Sequence, residues 1–234
     1  GYNFYSESDT EVLLYSFIEW GPDCVNIFNG MWAFAVWDSE DNTLFISRDR
    51  IGEKPLYYAF EKDNFIFASE QKALLPLLDE VKVSSNFKNL VKDPYLFTNE
   101  TLFSKIYKFP AGSSGLLKDN QFTIKRYWKP EINKEIYFGN YKDQLDYLNE
   151  LILDSCKIRL RSDVPISTAL SGGIDSSTIA SYVKDIYQKD YKFISNKNKQ
   201  TGFNLSFPNS VVDENHYSKI ISDKLNICLL YTSD

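Results

Sequence analysis

Apolar and polar positions alternate in two different ways along the chain, and the change falls near Tyr127-Trp128-Lys129-Pro130. Before that point, Ser8-Asp9-Thr10-Glu11 reads as a capping box, in which Ser8 caps a helix and Glu11 reaches back to the Ser8 amide. The helix is predicted to run to about Trp20 with Leu13, Leu14, Phe17 and Ile18 on its apolar face, and Gly21-Pro22 stops it. Two strand-turn-strand units follow. Residues 31–37 and 43–47 flank a polar Asp-Ser-Glu-Asp-Asn turn, and residues 56–60 and 65–69 flank Glu61-Lys62-Asp63-Asn64. Residues 31–37 are apolar on both faces, which predicts a strand covered on both sides.

After the change the predicted order is helix, strand, helix, strand, helix, strand, the signature of parallel βαβ units. Leu145, Leu148, Ile152 and Cys156 make one stripe of a helix ending near Arg161, and residues 164–170 read as a buried strand. A helix over residues 176–187 turns Ile179, Ala180, Val183 and Ile186 inward. Residues 203–207 give the next strand, 214–225 the next helix and 227–231 a last strand. The expected domains are therefore 1–129 and 140–234. In an open parallel sheet, ligands lie beyond the carboxyl ends of the strands.

Composition narrows the chemistry. A net charge of −6 and a pI near 5.0 over 234 residues argue against a nucleic-acid partner, which needs clustered Lys and Arg. No apolar run approaches the length of a membrane span. Cys24, Cys156 and Cys228 form neither a CxxC pair nor an even set, which fits a reducing cytoplasm. With His216 the lone histidine, a His-rich metal site and a Ser-His-Asp relay are poorly supported. Cys24 reads as a small core residue and His216 as an exposed helix residue. The Arg48-Asp49-Arg50 run with Lys54 reads as a solvated or ion-paired turn.

The most informative string is Leu170-Ser171-Gly172-Gly173-Ile174-Asp175-Ser176-Ser177, between a predicted strand and a predicted helix. The glycines let backbone amides approach an anion, and the hydroxyls of Ser171, Ser176 and Ser177 add donors. The following helix aims its unpaired N-terminal amides at the same place. Asp175 would repel a polyphosphate unless a cation lay between them, which points to Mg2+. No Lys follows the glycines, so a GxxxxGK[ST] loop is excluded, and Ser171 precedes its glycines, so a GxSxG turn is not matched either.

SGGIDSS resembles the pyrophosphate loop of the N-type ATP pyrophosphatases. Preceded by Ile158-Arg159-Leu160-Arg161-Ser162-Asp163-Val164-Pro165, it is similar specifically to the asparagine synthetase family. The first half agrees. Ser8-Asp9-Thr10-Glu11-Val12-Leu13-Leu14, Phe28-Asn29-Gly30-Met31-Trp32-Ala33-Phe34-Ala35, Arg48-Asp49-Arg50-Ile51-Gly52-Glu53-Lys54-Pro55-Leu56-Tyr57-Tyr58 and Ala68-Ser69-Glu70 resemble that family's glutaminase domain. The resemblance implies an α/β protein: a partial class II, Ntn-type αββα glutaminase domain, then a partial doubly wound parallel-sheet ATP pyrophosphatase domain. It implies a carbon-nitrogen ligase that activates aspartate with ATP as an acyl-adenylate, releases pyrophosphate and forms asparagine with glutamine-derived ammonia. Asp9 matches the position that holds the glutamine α-amino group. Leu170 and Leu205 match positions bordering adenine and ribose, and are read equally as buried strand residues. Ser171, Gly172, Gly173, Asp175, Ser176 and Ser177 match the pyrophosphate contacts, with Asp175 reaching Mg2+ through pyrophosphate. Glutamine, aspartate and ATP are the expected partners, in a cytoplasmic protein for which a homodimer is one expected assembly.

The same resemblance places a cysteine nucleophile and glutamine-binding Arg and Asn-Gly segments before residue 1, and a second glycine-acid segment after residue 234. Gly1-Tyr2-Asn3-Phe4 reads like the interior of a chain, so no catalytic residue is assigned, and the chain as written is expected to be a fragment inactive by itself. Phe203-Asn204-Leu205-Ser206-Phe207 departs from the family's Phe-x-x-Gly-Phe pattern, and residues 228–234 do not resemble its His-containing continuation. Two alternatives stay open: a related amidotransferase or cyclising synthetase acting on another carboxylate, and a non-catalytic nucleotide-binding protein.

Overall fold

Helix α1 (Asp9–Trp20) starts where Ser8 accepts the Thr10 amide at 3.2 Å in the computed structural model, which describes residues 1–93, 98–132, 139–162, 164–189 and 200–232. Glu11 does not close a capping box on Ser8. Its carboxylate takes the amides of Tyr5 and Ser6 at 2.8 and 2.7 Å, which draws the preceding segment over the helix start. Asp163, Ser233 and Asp234, which the sequence reading used, lie outside the described residues.

The chain divides into two units, Gly1–Ile132 and Asn133–Asp234. In the first, α1 is followed by α2 (Cys24–Ile27), β1 (Ala33–Asp38), β2 (Thr43–Arg48), β3 (Tyr57–Glu61), β4 (Asn64–Ala68), α3 (Gln71–Leu74), α4 (Phe87–Lys92), β5 (Ile106–Lys108), β6 (Ser113–Lys118) and β7 (Gln121–Arg126). The strands make an antiparallel sheet in the order β1-β2-β6-β7 and another in the order β4-β3-β5. Strand alternation assigns the layers. Phe45 of β2 packs with Cys24, Val25 and Trp32 under α1 and α2, while its neighbour Ile46 points the other way, onto Leu56, Phe109, Tyr58 and Phe65 between the sheets. Ala59 of β3 turns outward onto Leu74 and Leu78. The layer order is thus helix, sheet, sheet, helix.

Two apolar faces are less covered than their patterns predict. Leu14 and Ile18 of α1 are exposed, and β1 is covered on one face only, with Met31 and Trp37 exposed. β1 is the edge strand of its sheet, and the layer packed on that side does not extend over its second face.

In the Arg48-Asp49-Arg50 run, Asp49 is buried rather than solvated, and none of the three makes an ion pair among the described residues. Asp49 is 2% exposed, and its carboxylate accepts the amides of Ile51, Gly52 and Glu53 on Oδ1 and of Trp32 and Lys54 on Oδ2, at 2.7 to 3.3 Å. Arg48 donates to the carbonyls of Lys54, Phe109 and Gly52 at 2.7, 2.7 and 2.6 Å, and its own carbonyl accepts the Tyr127 hydroxyl at 2.8 Å. Burial, with the nearby Asp49 charge, pushes the Tyr127 phenol up to about 12.

The second unit holds α5 (Tyr141–Arg159), β8 (Ser167–Ala169), α6 (Ile174–Lys189), β9 (Thr201–Leu205), α7 (Asn215–Leu225) and β10 (Cys228–Thr232). Its strands pair in parallel in the order β10-β9-β8, as the helix-strand alternation predicts. Leu170, Ala180 and Ile227 pack with Ile221, Leu225 and Leu229, so α6 and α7 cover one sheet face. On the opposite face Phe203, Leu205 and Leu230 are exposed. Cys156 and Leu160 dock α5 onto Val183 and Ile186 of α6, whereas Leu145 and Leu148, nearer the start of α5, are exposed along with Ile179 of α6. β8 is shorter than predicted because Val164 is exposed and Pro165 has no amide to join a ladder.

Burial alone would raise the Asp49 pKa, but the hydrogen bonds from backbone amides outweigh it and hold the carboxyl below the usual carboxylate range. A depressed folded pKa contributes stability that is present above the unfolded value, 3.8, and lost as pH falls through the folded one. Asp49→Asn turns an N–H group toward those amides, so it is expected to destabilise the fold by about 2–3 kcal/mol at neutral pH. It should also remove part of the stability loss on acidification below the unfolded value. Urea unfolding of both proteins against pH checks each effect.

Candidate functional site

β8 hands the chain to α6 through a turn whose geometry requires glycine. Leu170 continues the ladder by donating its N–H to Phe203 O at 2.8 Å, and its side chain is 1% exposed beneath the turn. Gly172 then adopts φ of +84°, and a Cβ there would lie 2.4 Å from the Tyr217 carbonyl carbon and 2.6 Å from the Ser218 amide nitrogen. No other residue can occupy this position without moving α7. Gly173 is different. A Cβ there would meet only the Ser171 hydroxyl, at 3.4 Å.

The turn fixes its own hydroxyls. Ser171 Oγ and Ser176 Oγ are 3.0 Å apart, the Gly173 amide donates to Ser171 Oγ at 3.2 Å, and Ser176 Oγ donates to Gly173 O at 3.3 Å. The helical ladder opens with the Ser177 amide on Gly173 O at 3.0 Å. The amides of Ile174, Asp175 and Ser176 therefore precede the first helical bond and have no helical acceptor. The Ser177 hydroxyl oxygen is buried without a partner among the described residues. Asp175 is exposed and makes no hydrogen bond or ion pair with the described residues. Convergent donors at the positive end of a sixteen-residue helix are suited to an anion, and a free carboxylate beside them is suited to a cation that accompanies it.

Ser171, Gly172, Gly173, Asp175, Ser176 and Ser177 are thus brought into one turn at the carboxyl end of β8, with Leu170 under it. Leu205 ends the neighbouring strand β9 and is 52% exposed, against the expectation of a buried strand residue. The strand runs over residues 201–205, two residues earlier than predicted, and buries Asn204 and Ser206 on either side of Leu205. Asn204 donates to Asn215 Oδ1, and Asn215 Nδ2 donates to the Ser206 hydroxyl. The sequence reading did not single out this triad; polar residues flanking an apolar one in a strand, followed by Asn at a helix start, were its only signal.

The remaining candidates are placed separately. Asp9 is exposed at the first position of α1, in the first unit, where the helix dipole favours an acid. Cys24 is fully buried, and that burial pushes its thiol up, in keeping with a core role. His216 is exposed on α7. Among the described residues no group of three or more His, Cys, Asp or Glu could hold a metal ion. No helix among them is long and apolar enough to cross a membrane.

Residues 1–128 match the family model of a glutamine amidotransferase domain, and residues 147–229 match that of asparagine synthase. The chain is 40% identical over 197 residues to asparagine synthetase (glutamine-hydrolyzing) 3 of Bacillus subtilis, covering 82% of this chain and 31% of that protein. It is 33% identical over 226 residues to the putative asparagine synthetase (glutamine-hydrolyzing) 2 of Methanocaldococcus jannaschii, covering 92% and 41%. Asparagine synthetase B of Escherichia coli is 34% identical over 187 residues, covering 78% and 28%. The chain therefore spans about a third of the length of these relatives. Among solved structures, a Bacillus subtilis glutamine phosphoribosylpyrophosphate amidotransferase aligns over 99% of this chain and 40% of its own at 16% identity and a TM-score of 0.39, a likeness too slight to bear on the fold.

The two glycines of the turn should respond differently to a methyl group. Gly172→Ala is expected to destabilise the second unit by about 1–3 kcal/mol through left-handed strain and the collision with α7. Gly173→Ala should leave thermal stability close to that of the parent. Differential scanning calorimetry of the two variants distinguishes them.

Proposed function

The chain belongs to the glutamine-hydrolysing asparagine synthetase family, and from that premise we propose that it carries parts of both working units of such an enzyme. Residues 1–129 are assigned to the glutaminase domain and 140–234 to the ATP-using domain. The proposed reaction is amidation of aspartate with ammonia from glutamine, driven by cleavage of ATP to AMP and pyrophosphate. The observation that carries this reading is the turn at the carboxyl end of β8, where the amides of residues 174–176 have no helical acceptor, the hydroxyls of Ser171 and Ser176 lie beside them, and no described residue supplies an anion.

That arrangement suits cleavage between the α- and β-phosphates. An oxygen of the acceptor carboxylate attacks the α-phosphorus, the bond to the β-phosphate bridging oxygen breaks, and pyrophosphate leaves with the electron pair. Charge accumulates on the leaving group, so donors fixed beforehand around it lower the barrier more than they stabilise the ground state. Ammonia then attacks the acyl carbon and AMP departs. The donor set fits a magnesium-bound polyphosphate, because Asp175 is the one carboxylate in the turn and has no partner among the described residues. When bound, Mg2+ would neutralise phosphate charge that Asp175 alone would repel. Leu205, exposed at the end of β9, supplies apolar surface for the base or sugar. Asp9 is proposed to hold the glutamine α-amino group through its exposed carboxylate. The cytoplasm is the compartment in which these substrates and reduced cysteines coexist.

The test is pyrophosphate release by the full-length protein carrying this chain, with ATP, Mg2+, glutamine and a panel of carboxylic amino acids. Release dependent on aspartate is the expected result; release dependent on another acceptor moves the chemistry to a different carboxylate, and no release with any acceptor contradicts the reading. Asp175→Ala should weaken Mg·ATP binding at least about tenfold by calorimetry with melting unchanged.

A further inference from the structure

The nucleotide-site reading makes two places matter together: the phosphate turn after β8 and the exposed Leu205 at the end of β9. They lie on separate strands. The β8–β9 ladder joins them as far as the Leu170 N–H on Phe203 O. Beyond that bond the turn's own hydrogen bonds join Ser171, Gly173 and Ser176 to one another, and the further link to the residues around Leu205 runs through α7. On one side Gly172 lies against the backbone of Tyr217 and Ser218, close enough to exclude a Cβ. On the other, the Asn215 amide accepts from Asn204 and donates to Ser206, the residues on either side of Leu205.

Resting on the nucleotide-site reading, we infer that Asn215 is a positioning residue that sets the phosphate turn and the base-side strand end at the spacing of one nucleotide. Several features of the molecule support this role. Asn204 and Ser206 are 4% and 7% exposed, so the anchor is buried, while Leu205 between them is exposed at the carboxyl end of β9. The α7 N-cap residue Glu214 makes no side-chain cap, and Asn215 beside it ties the first turn to Asn204 and Ser206. Ser218, fully buried, donates its hydroxyl to the Asn215 carbonyl at 3.0 Å and closes the contact beside Gly172. The amide serves both strand residues at once, accepting from the Asn204 amide and donating to the Ser206 hydroxyl. Asn215 itself touches neither phosphate nor base in this account; it acts by holding the two halves in register.

A positioning role predicts a split that loss of the turn itself would not produce. A ligand that spans both halves depends on their spacing, and one that occupies only the turn does not. In the full-length protein, Asn215→Ala is expected to weaken Mg·ATP binding about tenfold, the worth of a buried hydrogen bond or two, while magnesium pyrophosphate binds as it does to the parent. Ser206→Ala, which removes one partner and leaves Asn215 in place, should reproduce the split in milder form and covers the case in which Asn215→Ala fails to fold. Titration calorimetry with the two ligands reads both affinities. Equal Mg·ATP affinity in parent and Ser206→Ala and Asn215→Ala proteins overturns the inference, as does a parallel fall for both ligands. A parent that binds neither ligand overturns the nucleotide-site reading instead.

Discussion

Gly172 and the first turn of α7 occupy space that no side chain can share, and the second unit is built around that contact. A left-handed backbone at this point bends the chain out of β8 sharply enough for α6 to begin two residues later. The bend decides where the first helical amides point. It also presses the turn onto a helix that is itself pinned to the end of β9. Remove the contact and the donors still exist, but they lose the common direction that makes them an anion site.

The two units use the same elementary interaction in opposite ways. At Asp49 a buried carboxylate collects five backbone amides and is complete within the fold. With Arg48 bound to three carbonyls, that knot ties β2 to the segment before β6 and to the loop leading into β3. At the start of α6 the amides are present and no described residue supplies an anion. An amide cluster already filled by its own side chain holds structure together; one left open is available to a ligand. Asp175 completes the contrast, because it stands beside the open amides without occupying them.

Much of this arrangement was legible in the sequence where local chemistry alone decided it. The glycine pair between an apolar run and a 3.6-residue periodicity located the turn, and the alternation of helices and strands foretold the parallel pairing of β8, β9 and β10. The errors share a cause: hydrogen-bond partners that residue type and spacing do not announce. Phe203, Leu205 and Phe207 alternate as a buried strand face would, yet Asn204 and Ser206 are the buried ones, because Asn215 satisfies their polar groups. Arg48-Asp49-Arg50 looked like a surface turn because its hydrogen-bond partners are main-chain groups, which composition does not reveal. The Ser8 capping box is likewise replaced, since the Glu11 carboxylate takes the amides of Tyr5 and Ser6 instead.

The central claim is that the open amides after Gly173 receive the end of ATP that leaves. A crystal structure of the protein with Mg2+ and an ATP analogue whose α–β bridge resists cleavage tests it directly. The account places β- and γ-phosphate oxygens within hydrogen-bond distance of the residue 174–176 amides and the Ser171 and Ser176 hydroxyls, with the metal between them and Asp175. A nucleotide whose polyphosphate lies away from this turn, or a turn closed by its own side chains in the presence of the analogue, would contradict it.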